Sequence, residues 1–326
     1  MPNIRLLVAA SALALAIVAS SSLHQARAQG PNSQKKITLV VPFAAGGSLD
    51  TVARLIGQKI SAVFGQPVVV ENRVGAGGNL GARAVASADP DGNTLLYTST
   101  GVAINQMLYA NPGFAIADLT PIIFAAVNTT IFAVNPTNPA QNLTQFLANA
   151  KAKPFTFGTA GTGTGGHLTG EYFFRAVAKV EAIHTPFAGG APAGTALMGN
   201  HIDAISTAVP DITSQVKAGT LRGIAVASAK RASALPDVPT VAEQGFPGFD
   251  VLIWTGLFAP AKTSPEILEK LNQAVNDLLK DPDAKARIAA IGFDINPQSL
   301  AQARAFLGTE MEKWKTIVNA VGLKVN

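Results

Sequence analysis

Apolar runs that alternate with amphipathic helical patterns constrain this chain more than any other feature of its sequence. The runs are Ile37–Phe43, Val68–Glu71, Thr94–Thr98, Ile122–Val127, Ile131–Val134, Phe155–Gly158, Ile183–Phe187, Ile202–Val209, Leu221–Ser228 and Val251–Ala259. Many are apolar at successive rather than alternate positions, the pattern of strands buried on both faces. Between them, Leu49, Val52, Ala53, Ile56, Ile60 and Val63 fall on one face of a helical period. Ile267, Leu268, Leu271, Val275 and Leu278 do the same in a second helix, opened by Ser264 as N-cap and Pro265 at the first helical position. Strands covered on both faces by helices define an α/β architecture.

The N-terminus stands apart from this pattern. Arg5 precedes an unbroken run of apolar and small residues from Leu6 to Val18, and Ala26-Arg27-Ala28 forms an A-x-A cleavage pattern. The run is too short for a comfortable membrane span, and no other run reaches about 18 apolar residues. Residues 1–28 therefore read as a signal peptide cleaved near Ala28, which predicts a periplasmic protein. Removing those 28 of 326 residues leaves 298, and losing Arg5 and Arg27 takes the formal charge from +5 to +3.

Composition then excludes several classes of function. Only 14% of residues are charged, against a norm of about 25%. The chain has no cluster of lysine and arginine of the kind that holds nucleic acid. Cysteine is absent, so structural disulfides, thiolate metal sites and thiol catalysis are excluded together. An exported chain of this kind relies on its core alone.

Two stretches, 122–136 and 249–260, combine strand-like runs with prolines and turn residues. If the chain leaves one domain at the first and returns at the second, residues 29–127 and 254–326 form a discontinuous domain 1. Residues 128–253 then form domain 2, with a cleft between the two, a preferred place for a small ligand.

Three glycine-rich turns carry the chemistry: 44-AAGGSLD-50, 75-GAGGNLG-81 and 158-GTAGTGTGGHLTG-170. The third contains G-x-G-x-x-G at Gly161, Gly163 and Gly166, between a strand and a helix expected to start at His167. A dinucleotide site also needs an acid at the end of the following strand. Here that end reads Ala188-Gly189-Gly190, and Glu181 lies before the strand. Motifs for a serine hydrolase, a zinc protease or a phosphate-binding loop are absent, and His167, His184 and His201 lack metal-ligand spacing. No catalytic residue, metal or cofactor is expected. The turns are suited to anions instead. Free N–H groups at a helix start attract carboxylate or phosphate, glycine lets the ligand approach, and Ser48, Thr162 and Thr164 add hydroxyls. Asp50 reads either as a first-turn acid that complements the helix dipole or as a group that tethers the loop or orders a water that meets the ligand. His184 and His201 read as packing, capping or surface residues, and His167 as one that packs or lines a site.

The chain resembles the Bug family, the extracytoplasmic solute receptors of tripartite tricarboxylate transporters. The matching stretches are 41-VPFAAGGSLDTVAR-54, 70-VENRVGAGGNLGA-82, 91-DGNTLL-96, 158-GTAGTGTGGHL-168, 183-IHTPFAGGAPA-193, 225-AVASAKRASALPDVPTVAEQGFPG-248 and 254-WTGLFAPAKTSP-265. They run in order along essentially the whole mature chain. The resemblance implies a two-domain type II periplasmic-binding-protein fold that closes on a small ligand. It also implies that Phe43, Ala44, Ala45, Gly46, Gly47 and Ser48, with Asp50, grip a carboxylate from one side. Thr159, Ala160, Gly161, Thr162, Gly163 and Thr164 would grip it from the other, beside His167. The expected partners are a small carboxylate and membrane transporter subunits, with no nucleic acid, and a monomer is expected.

One departure bears on the ligand. Family members often show Pro-Tyr-Lys-Gly where this chain has Pro186-Phe187-Ala188-Gly189. Phe187 and Ala188 are therefore expected to form an apolar wall, leaving room for a monocarboxylate, an aromatic acid or a neutral cyclic ligand. A module that signals to a membrane sensor and a periplasmic enzyme using the same cleft are the alternative functions.

Overall fold

The structure is a computed structural model that describes residues 35–325; the signal-peptide reading lies outside these residues. In chain order the elements are strand β1 (Ile37–Val41), helix α1 (Ser48–Phe64), β2 (Val68–Asn72), α2 (Asn79–Ala86), β3 (Thr94–Ser99) and α3 (Gly101–Leu108). Strand β4 (Leu119–Val134), α4 (Leu143–Ala150), β5 (Phe155–Thr159), α5 (Gly165–Glu171), β6 (Ala182–Pro186), α6 (Gly190–Met198), β7 (Ala204–Ala208) and α7 (Val209–Lys217) follow. The chain ends with β8 (Arg222–Val226), β9 (Leu252–Pro260), α8 (Pro265–Lys280), α9 (Pro282–Ala290), β10 (Asp294–Ile295) and α10 (Leu300–Val321).

The strands form one sheet in the order β2-β1-β3-β9-β4-β7-β5-β6, with β8 and β10 also paired to β4. At one end β1 lies parallel between β2 and β3; at the other β5 lies parallel between β6 and β7. Joining them is the antiparallel pair β4 and β9, paired from Leu119↔Pro260 to Thr129↔Leu252 with register shifts between Pro121 and Ile123 and between Ile123 and Ala126. Beyond Thr129, β4 runs on to pair with β7 and β8. Each parallel strand is followed by a helix, which places helix starts at the same edge of the sheet, facing the middle.

Three expectations about elements change. Ile122–Val127 and Ile131–Val134 are parts of a single strand, because Asn128, Thr129 and Thr130 between them stay paired to β9 and β7. Val209 belongs to α7 rather than the preceding strand, since Pro210 fits a first helical turn. The helix expected from His167 begins at Gly165.

Burial follows the sequence pattern. In α1 the apolar stripe Val52, Ala53, Leu55, Ile56 and Ile60 is buried against β1, β3 and α8. Val63, expected on this face, is 50% exposed, near the end that Gly65 closes in a left-handed cap. Each fully buried isoleucine or leucine contributes about 1.5–3 kcal/mol. At the other end of the sheet, Phe132, Phe155, Phe157, Phe173 and Phe174 share a core with Ile104 and Leu108 of α3 and with Trp314 of α10. Their rings meet in tilted, stacked and edge-on pairs, each worth about 0.5–1.5 kcal/mol beyond burial. Trp254 of β9 and Trp314 both donate to Glu310 Oε2, at 3.0 and 3.2 Å, pinning α10 behind the middle of the sheet.

Candidate functional site

A cavity of about 400 Å³ opens between the two ends of the sheet. It is lined by residues 43–49, Ser99, Asn128, Ala160, residues 164–166, residues 189–192, Thr195, Thr207, Ala208, Asp211 and residues 253–255. The lining contains the starts of α1, α6 and α7, and none of these three has a side-chain cap. Elsewhere, Asn142, Ser264, Asp281 and Ser299 cap α4, α8, α9 and α10 with their side chains; α2 and α3 also start uncapped. The first N–H groups of a helix have no partner within it; those of α1 and α6 open toward the cavity, whereas at α7 Pro210 has no N–H and the Asp211 carboxyl accepts from the Ala208 N–H. The lining includes no lysine, arginine or histidine.

The first loop owes its shape to Asp50. Gly46 takes a left-handed backbone with φ of 78°, which glycine adopts without strain. This turns its N–H back onto Asp50 Oδ2 at 3.0 Å. Asp50 is 2% exposed and is also reached by Arg54 Nε at 2.8 Å, Arg54 Nη2 at 3.0 Å and Asn72 Nδ2 at 3.0 Å. Asn72 donates to Phe43 O as well. Burial works against the Asp50 charge, but Arg54, the Gly46 N–H and Asn72 outweigh it and hold the carboxyl below its ordinary range. Of the two readings of Asp50, the geometry is that of a tether: it lies beneath the loop, outside the lining, while Phe43, Ala44, Ala45, Gly46, Gly47 and Ser48 face the cavity.

The second loop is held by neutral groups. Thr164 Oγ1 donates to Gly161 O at 2.8 Å and accepts from the His167 N–H. Gly163 N–H donates to His167 Nδ1 at 3.1 Å, which leaves the proton of the neutral ring on Nε2. That nitrogen faces Glu171 Oε1 at 3.9 Å. The His167 ring stacks on His184 with centroids 3.9 Å apart, and His184 Nε2 is hydrogen-bonded to Thr159 Oγ1 at 2.7 Å. Burial, with Arg175 nearby, lowers His167 to a pKa of about 3 and His184 to about 4, so both are neutral at pH 7. Of this loop only Ala160 and Thr164 line the cavity. Thr159 is fully buried, and Gly163 lies against Asn105. Thr162 and His167 face a separate pocket with Glu171 and Arg175. Gly161, Thr162, Phe187 and Ala188 line a neighbouring pocket with Pro42 and Phe43. His201 is exposed.

Sequence reasoning missed Asp211, Thr207, Asn128, Trp254 and the Gly189-Gly190 turn. The signal for Asp211 was Pro210, which marks a helix start immediately after a strand. For Asn128 it was the polar interruption of an otherwise apolar strand.

The matches to known proteins show the fold and the family. The sequence model of the tripartite tricarboxylate transporter family receptor matches residues 52–323. A UPF0065 protein encoded in the tcbD-tcbE intergenic region of Pseudomonas sp. (strain P51) is 35% identical over 321 residues, covering 96% of this chain and 94% of its own. A solved R. palustris protein with adipate superposes with a TM-score of 0.85 at 30% identity, covering 89% of this chain and 98% of its own. The periplasmic binding protein BugD superposes with a TM-score of 0.83 at 31% identity, with the same coverages. The fold is thus that of the periplasmic binding proteins, and the chain belongs to the Bug family of tripartite tricarboxylate transporter receptors.

Proposed function

We propose that this protein is an exported receptor that binds a small carboxylate in the central cavity, closes around it and presents it to a membrane transporter. The observation that carries this reading is the convergence of two uncapped helix starts, α1 and α6 from opposite ends of the sheet, on one cavity whose lining holds no cationic side chain. N–H groups with a helix dipole behind them suit a carboxylate. The solved relative with adipate supports the ligand class, and the receptor family supports binding rather than catalysis. Closure would move residues 128–253 against 29–127 and 254–326, with β4 and β9 as the two connecting strands. Ser48 Oγ, which donates to Asp211 Oδ1 at 2.7 Å, would form part of the closed contact. Hinge closure around a ligand is the usual motion of such proteins.

The test is a thermal-shift screen against dicarboxylates, aminocarboxylates and aromatic acids, followed by small-angle scattering with the strongest binder. A ligand at 100 times its Kd adds about 2.7 kcal/mol of stability, and closure reduces the radius of gyration. A panel in which no carboxylate raises the melting temperature would overturn the reading.

A further inference from the structure

Among the described residues, Asp211 is the one titratable side chain that lines the cavity. It stands in the first turn of α7, an anion already seated at that helix start. Its carboxyl oxygens accept from two neutral hydroxyls, Ser48 Oγ at 2.7 Å and Thr207 Oγ1 at 2.6 Å. No lysine, arginine or histidine shares the lining. Burial pushes the carboxyl above its ordinary range, and the bonds from Thr207, Ser48 and the Ala208 N–H only partly offset this. Gly190 makes the space, since a Cβ there would overlap the Asp211 carboxyl. Asn128 lines the same cavity and a second pocket, and its side-chain oxygen is buried without a partner. A purely anionic ligand would bring its own oxygens to the Asp211 carboxyl.

We propose that Asp211 is a specificity-determining residue that favours ligands bearing an ammonium or other N–H donor besides their carboxylate, and disfavours simple dicarboxylates. The helix starts of α1 and α6 take the carboxylate, and Asp211 takes the nitrogen. The ligand class is therefore an aminocarboxylate. The inference rests on the cavity being the carboxylate site, and the experiment separates the two ideas.

Calorimetric Kd values are measured for two matched pairs, adipate against 6-aminohexanoate and glutarate against glutamate, at constant ionic strength because exposed charges are screened. The proteins are wild type, Asp211→Asn and Asp211→Ser, each checked for an unchanged ligand-free melting temperature. Asn keeps the shape and acceptor oxygen of Asp; Ser serves if the Asn variant fails to fold. The expected result is at least a tenfold wild-type preference for the nitrogen-bearing member of one pair, lowered at least tenfold by Asp211→Asn. A merely structural Asp211 would weaken every probe alike and leave the ratios unchanged, which would overturn the proposal. So would a wild type that prefers the dicarboxylate in both pairs, for which a protonated Asp211 would then be the donor. If no probe binds the wild type, the cavity reading falls first and this inference falls with it.

Discussion

The two glycine-rich loops that meet at the cavity present similar backbone but are held by opposite chemistries. Beneath residues 44–48 lies a buried carboxylate with an arginine, an asparagine and a backbone N–H around it. Beneath residues 159–166 lie hydroxyls and two stacked imidazoles that remain neutral. Backbone donors can therefore be preorganised by charge or without it, and the two solutions differ in their sensitivity to pH. Asp50, with a lowered pKa, stabilises the fold above the ordinary carboxylate range and loses that contribution only as the pH falls below it. The histidines act in a different window. An unfolded chain takes up their protons from about pH 6.5, whereas the folded protein resists until about 4 for His184 and about 3 for His167. Their loops weaken first on acidification.

The largest expected effect is on the charged side. Asp50→Ala leaves the Gly46 N–H without its acceptor, Asn72 with Phe43 O alone and Arg54 without its partner. Stability should fall by about 2–4 kcal/mol, read by urea denaturation, because hydrogen bonds to a charged group are worth about 1.5–3 kcal/mol. Carboxylate affinity should fall at least tenfold, about 1.4 kcal/mol. A variant with wild-type stability would show that the tether does not hold the first loop.

The neutral side should show itself through pH. Between pH 7 and 5 the wild type should lose about 1–2 kcal/mol through His184 alone, and His184→Gln should remove that part of the slope. Glu171 faces the pair and works the other way, since burial raises its pKa despite Arg175, so the comparison of the two proteins isolates the histidine. Parallel stability profiles for the two would contradict the neutral-imidazole account.

A smaller effect on the fold, with a clear one on binding, is expected at Gly47. Its φ of −73° suits any residue, and a Cβ there would meet Ala44 O at 3.2 Å. Gly47→Val should therefore change stability by less than about 1 kcal/mol, while its branched side chain obstructs the start of α1. Calorimetry should show at least tenfold weaker carboxylate binding. Wild-type affinity in the folded variant would move the site away from this loop.

Much of this was legible in the sequence, for physical reasons that can be named. Strands such as Ile37–Val41 and Phe155–Thr159 are buried on both faces and so announce themselves as apolar runs. The AAGG turn is legible because a strand, a bare turn and a helix with an early acid occur within a dozen residues. What stayed hidden depends on tertiary pairing. Asn128-Thr129-Thr130 looks like a turn, yet β9 and β7 keep it extended, and of the three Asn128 borders the cavity. Such local conflicts with a strand pattern concentrate at functional sites. Asp211 could be placed in a helix start from Pro210, but its meeting with Ser48, 163 positions away, has no local signature. His167 supports the second loop from behind, and nothing in its spacing distinguishes that from lining the cavity.

The central claim is that helix-start N–H groups from both ends of the sheet hold the ligand's carboxylate. Amide chemical shifts of nitrogen-15-labelled protein, followed during titration with adipate, glutamate and 6-aminohexanoate, test it most directly. With the tightest of the three, the resonances of Ser48, Leu49, Gly190 and Ala191 should shift most and saturate together at one Kd. Shifts centred on the His184 and Glu171 pocket instead, or no shift with any of the three, would contradict it.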